Sequence, residues 1–480
     1  MNQRMQRRGM PAAPAGWMAM AVLAAAMMAL PAWAAGPRGS GKGFALKSGD
    51  RVCFYGDSIT EQRFYPAEVE TYTLTRFPNI RVRFVDAGVG GDTVGGGWAG
   101  KIDLRLRRDV FPFHPNIVTI MLGMNDAGYQ PFNAKLFHRF QRGYRHIIAS
   151  LQRHLPGVTI VLIATSPFDD VTQPPQFPGG YNGVLNRYAA FVRQLARQHH
   201  LLFVNFPGPM VRVLKQAERI NPKLAKQIIP GRVHPSVIGQ MMMAQALLRA
   251  WHAPGTVTRV HLTASGNVAA AVNARITHLV ASGGGLRWTE RDGSLPLPFL
   301  GLHAQWPQFP KWEMYLPPQP KPGFTDPAAA LVDRLSGFTR DLDQEPLQVT
   351  GLHSGQYRLA IDGQPVGTFS AAQLAGGVNL ARYMTPMMRQ AYQVDNLVWE
   401  QIAVHFVPWR YVQTSLQNFA ASWPGGKGEK LPVNVYNNPA AARAVTGTLR
   451  AMHGLLRAIV AQEHRANQPR PHHFTLTPAN

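Results

Sequence analysis

The chain has 480 residues, 45% hydrophobic and 10% aromatic, which exceeds one ordinary domain and suffices to bury a sizeable core. Its single cysteine, Cys53, excludes an internal disulfide. A formal charge of +23 points to acidic partners, yet the basic residues are dispersed and no nucleic-acid recognition motif occurs, so nucleic acid is not expected.

Residues 1–34 read as a signal peptide. Arg4, Arg7 and Arg8 form a basic start, Trp17 to Leu30 is apolar, and Ala32-Trp33-Ala34 fits a cleavage site. An uncleaved anchor would need roughly 20 apolar residues, and Pro31 with the small residues after it favours cleavage. Removing the three leader arginines lowers the charge from +23 to +20. A periplasmic or secreted product without an integral membrane segment is expected, with an anionic cell-envelope surface as one partner that this charge would suit.

Residues 35–252 alternate short β-rich runs with amphipathic stretches, the pattern of an α/β fold built on a doubly wound, five-stranded parallel sheet. The predicted strands are Val52–Tyr55, Val82–Val85, Ile117–Leu122, Thr159–Ala164 and Leu201–Asn205. Arg105-Leu106-Arg107-Arg108, the densest basic cluster, falls on a predicted helix and reads as a solvated face.

Residues 253–375 form a predicted β-rich accessory region that opens after the break His252-Ala253-Pro254-Gly255. Trp306 to Pro327 is crowded with proline and aromatics, and Asp362-Gly363 after Tyr357–Ile361 signals a hairpin. Residues 376–480 are predicted to be mainly helical, with apolar positions at helical spacing over Gln390–Ala421 and Ala440–Gln462. The tail after Asn467 is expected to be poorly ordered.

Four strings carry candidate chemistry. Gly56-Asp57-Ser58-Ile59-Thr60 follows the first strand and exposes a serine hydroxyl in a strand-to-helix turn. Gly88-Val89-Gly90-Gly91-Asp92-Thr93 follows the second, where glycine lets backbone amides approach a reacting oxygen. Gly123-Met124-Asn125-Asp126 follows the third and offers a side-chain amide. Val233-His234-Pro235-Ser236 puts an imidazole at the entrance of the apolar helix Val237–Trp251. Each alone is ordinary turn, cap or loop chemistry. Together, in one chain order and each where an open α/β sheet collects its reactive groups, they point to one site.

The order Ser58, Gly91, Asn125, His234 with these flanking residues resembles the SGNH (GDSL-like) hydrolase superfamily over about residues 48–252. Asp169-Asp170-Val171-Thr172, Gly179-Gly180-Tyr181-Asn182, Asn379-Leu380-Ala381 and Thr385-Pro386-Met387 are similar to bacterial members with long C-terminal extensions. The resemblance implies a serine esterase in which Ser58 attacks an ester carbonyl and His234 takes its proton. The Ser58 and Gly91 amides and the Asn125 side chain would hold the oxyanion. No G-x-S-x-G elbow and no zinc-type spacing occurs, so no metal or cofactor is expected.

One departure matters. Relatives carry aspartate three residues before the histidine, where this chain has Gly231. In serine proteases, losing the proper role of that acid costs roughly 10⁴-fold in kcat, so weakened catalysis is expected. A backbone carbonyl, a water or a carboxylate from elsewhere would have to accept the imidazole N–H instead. Asp86, where relatives often have asparagine, is given no catalytic role. Three functions follow: a hydrolase of an acylated or O-acetylated carbohydrate or small ester; an inactive relative that binds cell-envelope glycan or another acidic partner; and a lipase or lysophospholipase drawn to anionic headgroups.

Overall fold

The computed structural model describes residues 43–299, 325–406 and 439–479. The predicted signal peptide, most of Trp306–Pro327 and the stretch after Phe406 that was predicted helical to Ala421 lie outside these residues.

Five parallel strands form the central sheet: β1 (Arg51–Gly56), β2 (Arg83–Asp86), β3 (Ile117–Met121), β4 (Thr159–Ala164) and β5 (Leu202–Asn205), in the spatial order β2-β1-β3-β4-β5. Every residue of β3 is buried, and β1 and β4 are buried beyond their first residue, as strands covered on both faces must be. The edge strands β2 and β5 are only partly buried. Because β1 is flanked by β2 on one side and β3 on the other, the strand order reverses between β1 and β3. In open α/β sheets such a reversal is where ligands bind, outside the carboxyl ends of the strands.

Amphipathic helices cover the sheet. Ala134–His154 is capped by the Asn133 side chain, which accepts from Leu136 N at 3.1 Å, and it buries Phe140, Tyr144, Ile147, Ile148 and Leu151 along one stripe. Its neighbour Gly180–Gln198 meets it through Tyr188 and Phe191, whose rings lie 4.6 and 5.9 Å from Phe140. Phe64–Arg76 is buried at every position and packs with Val237–Ala250.

That burial has a cause: Phe64–Arg76 is also the seam to the rest of the chain. Arg76 donates to the carbonyls of Pro254 and Leu342 at 2.7 and 2.9 Å, and Thr71 Oγ1 donates to Asp395 at 2.9 Å. Asn467 Nδ2 reaches Leu74 O at 3.0 Å.

Beyond residue 252 the β-rich region contains two further sheets. One is antiparallel, in the order Ala274–Ser282, Gly285–Asp292, Pro471–Ala479, Gln356–Ile361, Gln364–Ser370. The predicted hairpin is present, with Asp362 and Gly363 at φ 49° and 74° between paired strands. The other sheet runs Val378–Asn379, Pro346–Thr350, Arg259–Thr263, Val268–Val272. Helices Pro386–Phe406 and Pro439–Ala466 supply the helical part of the C-terminal region.

Two expectations are corrected. The tail after Asn467 is ordered: Pro471–Ala479 is the middle strand of the antiparallel sheet, with His472, Phe474 and Leu476 turned inward. The basic cluster is not a solvated face either. Arg105 is fully buried and Arg108 nearly so, and only Arg107 is exposed. Arg105 Nε donates to Asp92 at 2.8 Å and its Nη1 to Asp109, while Arg108 Nε donates to Asp109 at 2.6 Å. Buried guanidinium and carboxylate groups survive only when paired in this way.

Candidate active site

Ser58 opens the short helix Ser58–Glu61 immediately after β1 and Asp57. Asp57 is the N-cap, its carboxylate accepting from Ile59 N at 3.0 Å, so the turn that presents the serine is fastened from inside. Gly56 must lack a side chain, because a Cβ there would meet Thr60 Oγ1 at 2.1 Å and Met121 O at 2.9 Å. The tightness of this turn directs the hydroxyl outward. As the first residue of the helix, Ser58 also keeps an amide that the turn's own hydrogen bonds do not consume.

His234 comes from the loop before helix Val237–Ala250, and its Nε2 lies 2.8 Å from Ser58 Oγ. That is hydrogen-bonding distance for proton transfer between a hydroxyl and a neutral imidazole. Burial lowers the His234 pKa below the ordinary 6.5, which keeps the ring neutral near pH 7. Among the described residues Nδ1 has no hydrogen-bond partner. The loop itself is strapped to residues 168–175: Arg232 O accepts from Asp169 N at 2.8 Å, and Arg232 donates to Gln173 Oε1 and Pro174 O at 2.9 and 3.0 Å.

The glycine loop after β2 closes the other side. Gly90 approaches so closely that a Cβ on it would lie 3.8 Å from Ser58 Cβ. Gly91 follows at φ 78°, a left-handed conformation that glycine adopts without strain. Asn125, from the end of β3, ties into the same loop: its Nδ2 donates to Asp92 O at 3.0 Å, and its Oδ1 accepts from Tyr129 at 2.9 Å. A side-chain amide carries two N–H donors, so this bond leaves one for a ligand. Ser58 and His234 are thus in direct contact, and Gly91 and Asn125 belong to one loop assembly beside them.

Residues 54–242 match the GDSL-like lipase/acylhydrolase family. The α/β domain belongs to this family of SGNH hydrolases. The chain is accordingly an ester-hydrolysing enzyme. An acetylxylan esterase from Geobacillus stearothermophilus is 29% identical over 224 residues, which is 42% of this chain and 94% of that protein. A gut microbial diltiazem-metabolizing enzyme of solved structure is 24% identical, covers 90% of this chain and 98% of its own, and superposes with a TM-score of 0.70, so the fold is similar beyond the hydrolase domain. The solved structure of an acetylxylan esterase from G. stearothermophilus is 25% identical over 43% of this chain and 95% of its own, with a TM-score of 0.35.

The SGNH domain also holds polar residues around the site, of which sequence reasoning weighed Asp86 alone for a role there. Glu61 Oε2 accepts from Gly90 N at 2.7 Å, and Asp86 Oδ1 from Gly88 N at 2.8 Å, so two carboxylates pin the glycine loop by its amides. Asp86 therefore caps the loop. Asp126 accepts from Val94 N at 3.0 Å, and Arg105 donates to Ala87 O at 2.6 Å. Burial raises the carboxyl pKa of Asp92 to about 6 and those of Asp57, Asp86 and Asp126 to about 7. The i, i+4 spacing of Arg105 and Asp109 between Leu104 and Val110 was the available signal for a buried pair.

No helix among the described residues is long and apolar enough to cross a membrane, and none of their His, Cys, Asp and Glu side chains cluster as a metal site would require.

Proposed function

We propose that this enzyme cleaves the acyl group from an O-acetylated carbohydrate or a similar small ester through a Ser58–His234 pair. The carrying observation is the 2.8 Å approach of His234 Nε2 to Ser58 Oγ, with a neutral imidazole as acceptor. A serine hydroxyl is a poor nucleophile until a base removes its proton.

His234 takes that proton as Oγ bonds to the carbonyl carbon. The carbonyl π electrons move onto oxygen, where the Ser58 and Gly91 amides and the remaining Asn125 N–H are the oxyanion donors. Donors preset in this way contribute roughly 3 to 4 kcal/mol each. The imidazolium then protonates the leaving alkoxide, and the C–O bond breaks to leave an acyl-serine. Water attacks this ester with His234 again as base, and the carboxylic acid and Ser58 are regenerated.

With Gly231 in place of an acid, Nδ1 has no carboxylate partner among the described residues, and support of the imidazolium is weaker than in a triad. The similarity to an acetylxylan esterase supports reading the acyl group as acetyl and the alcohol portion as a sugar. We also read the product as exported, from the leader-like residues 1–34.

A fluorophosphonate probe tests the nucleophile: wild type is labelled and Ser58→Ala is not. No labelling of folded wild type favours the second reading, a glycan-binding protein that lost turnover with its acid. A series of acetyl to decanoyl esters tests the acyl group, and a preference for the long members would turn the assignment toward a lipase.

A further inference from the structure

Two large aromatic side chains stand exposed beside the glycine loop, and neither is explained by the chemistry above. Tyr129 is 40% exposed and Trp98 is 39% exposed. Single exposed aromatics are common on protein surfaces and need no explanation. These two differ in how they are held.

The Tyr129 hydroxyl donates to Asn125 Oδ1 at 2.9 Å, and Trp98 Nε1 donates to Gly90 O at 2.8 Å. Each ring is therefore fastened, by its polar end, to one of the two elements that flank Ser58. Tyr129 sits at φ 55°, a left-handed conformation that a bulky side chain adopts only when its surroundings enforce it. The enforcement is visible: its ring stacks on Tyr181 at 5.0 Å with 26° between planes, and Phe168 lies 6.2 Å away. Tyr181 in turn donates to Met124 O, next to Asn125. Burial, and after it the charge of Asp57, push the Tyr129 phenol up to about 12, so it is a neutral donor near pH 7.

With their polar ends satisfied inside the protein, both side chains offer apolar ring surface outward. A ligand suited to that surface has a flat apolar face and a polar rim that stays hydrated. The pyranose ring has this build, since its axial C–H bonds form an apolar face and its hydroxyls point sideways. A flexible acyl chain has no such face, and it would be matched by an apolar groove rather than by two separately anchored rings.

We propose that Tyr129 and Trp98 form a stacking subsite for the pyranose ring of the ester's alcohol portion, placed by their hydrogen bonds to Asn125 and Gly90 so that the acyl carbonyl falls at Ser58. This rests on the proposed esterase activity and adds to it which residues select the substrate.

Two measurements on the full chain test it. The first compares kcat/KM for an acetylated xylo-oligosaccharide with kcat/KM for ethyl acetate, which has no ring. Tyr129→Ala and Trp98→Ala should each lower the ratio of the two about tenfold, through KM of the sugar ester. Tyr129→Phe keeps the ring and loses only the bond to Asn125, so it should lower both substrates together and leave the ratio intact. A ratio unchanged in both alanine variants overturns the subsite and leaves the esterase standing, as does equal ring dependence for phenyl acetate with no preference for the sugar ester.

The second measurement does not need turnover. In Ser58→Ala, titration with the same oligosaccharide should give a Kd about tenfold weaker once Tyr129→Ala is added. Binding that is indifferent to Tyr129 refutes the subsite. Ring-dependent binding by a wild-type protein that hydrolyses no ester refutes the esterase reading alone. Thermal unfolding of each variant separates loss of the fold from loss of the ring.

Discussion

The two sides of the site are built to different standards. On the glycine-loop side, Glu61, Asp86, Asp126, Asn125 and Arg105 each hold a backbone group of residues 87–94. On the histidine side, among the described residues, the ring of His234 makes one hydrogen bond, to Ser58, the proposed nucleophile. The contrast shows where this enzyme has put its organisation. Charge stabilisation in the transition state depends on dipoles fixed beforehand, and the loop proposed to supply them is over-determined here. His234, the proposed base, is positioned mainly by its loop, through Arg232 and Asp169, and among the described residues nothing on Nδ1 sets its tautomer.

The difference can be broken most severely at Arg105. Arg105→Ala leaves Asp92 and Asp109 buried without their guanidinium, and removing one partner of such a network costs about 3–5 kcal/mol. Chemical denaturation should show that loss of stability. Arg105→Lys should recover only part of it, because one ammonium cannot reproduce the forked contacts to Asp92, Asp109 and the Ala87 carbonyl.

A smaller and purely kinetic effect is expected at Glu61. Glu61→Ala releases the Gly90 amide, so the loop that carries Gly91 can drift. Losing an oxyanion donor outright costs roughly 10²–10³ in kcat, and a loosened one should cost about tenfold to a hundredfold, with KM little changed. Glu61→Gln retains an acceptor for Gly90 and should retain most of the activity. If Glu61→Ala changed KM alone, the loop would be serving ground-state binding and not the oxyanion.

How this asymmetry relates to the sequence is instructive. The strings around Ser58, Gly91 and Asn125 were legible because each is contiguous and follows a strand with an unmistakable apolar run, and the His234 string because it precedes an apolar helix. Their supports were not, because Glu61 and Arg105 act on backbone groups of a different segment, and Asp109 acts on that segment only through Arg105. A charged residue in a sequence reads as solvated until its partner is known. The final strand was missed for a similar reason. Pro471–Ala479 alternates inward His472, Phe474 and Leu476 with outward neighbours, a strand pattern, but its pairing partners lie near residues 286–291 and 356–361. Asp362 fixes it by accepting from His472 Nδ1 and His473 N at 2.6 and 2.7 Å, more than a hundred residues away in the chain.

Restoring the acid should narrow the contrast from the other side. Gly231 has open space where a Cβ would stand and no left-handed φ to preserve, so Gly231→Asp fits without strain. A carboxylate on Nδ1 orients the ring and stabilises the imidazolium, and kcat should rise about tenfold, as far as the loop holds the new side chain in line. An unchanged rate in a folded variant would mean that water or backbone already supplies this orientation.

The pH profile gives the least dramatic and most diagnostic comparison. His234 must be neutral to accept the Ser58 proton, so kcat/KM falls on the acid side as the ring protonates. Burial disfavours the charged ring and lowers its pKa, which places the midpoint of that fall below pH 6.5 in wild type. A carboxylate at position 231 favours the charged ring, and the midpoint in Gly231→Asp should move upward, so that the variant loses relative activity at mildly acidic pH while gaining at pH 8. The two effects share one cause, the interaction of a negative charge with Nδ1–H. A rate gain with no movement of the acid limb would place the new carboxylate away from the imidazole and assign the gain to the loop's rigidity.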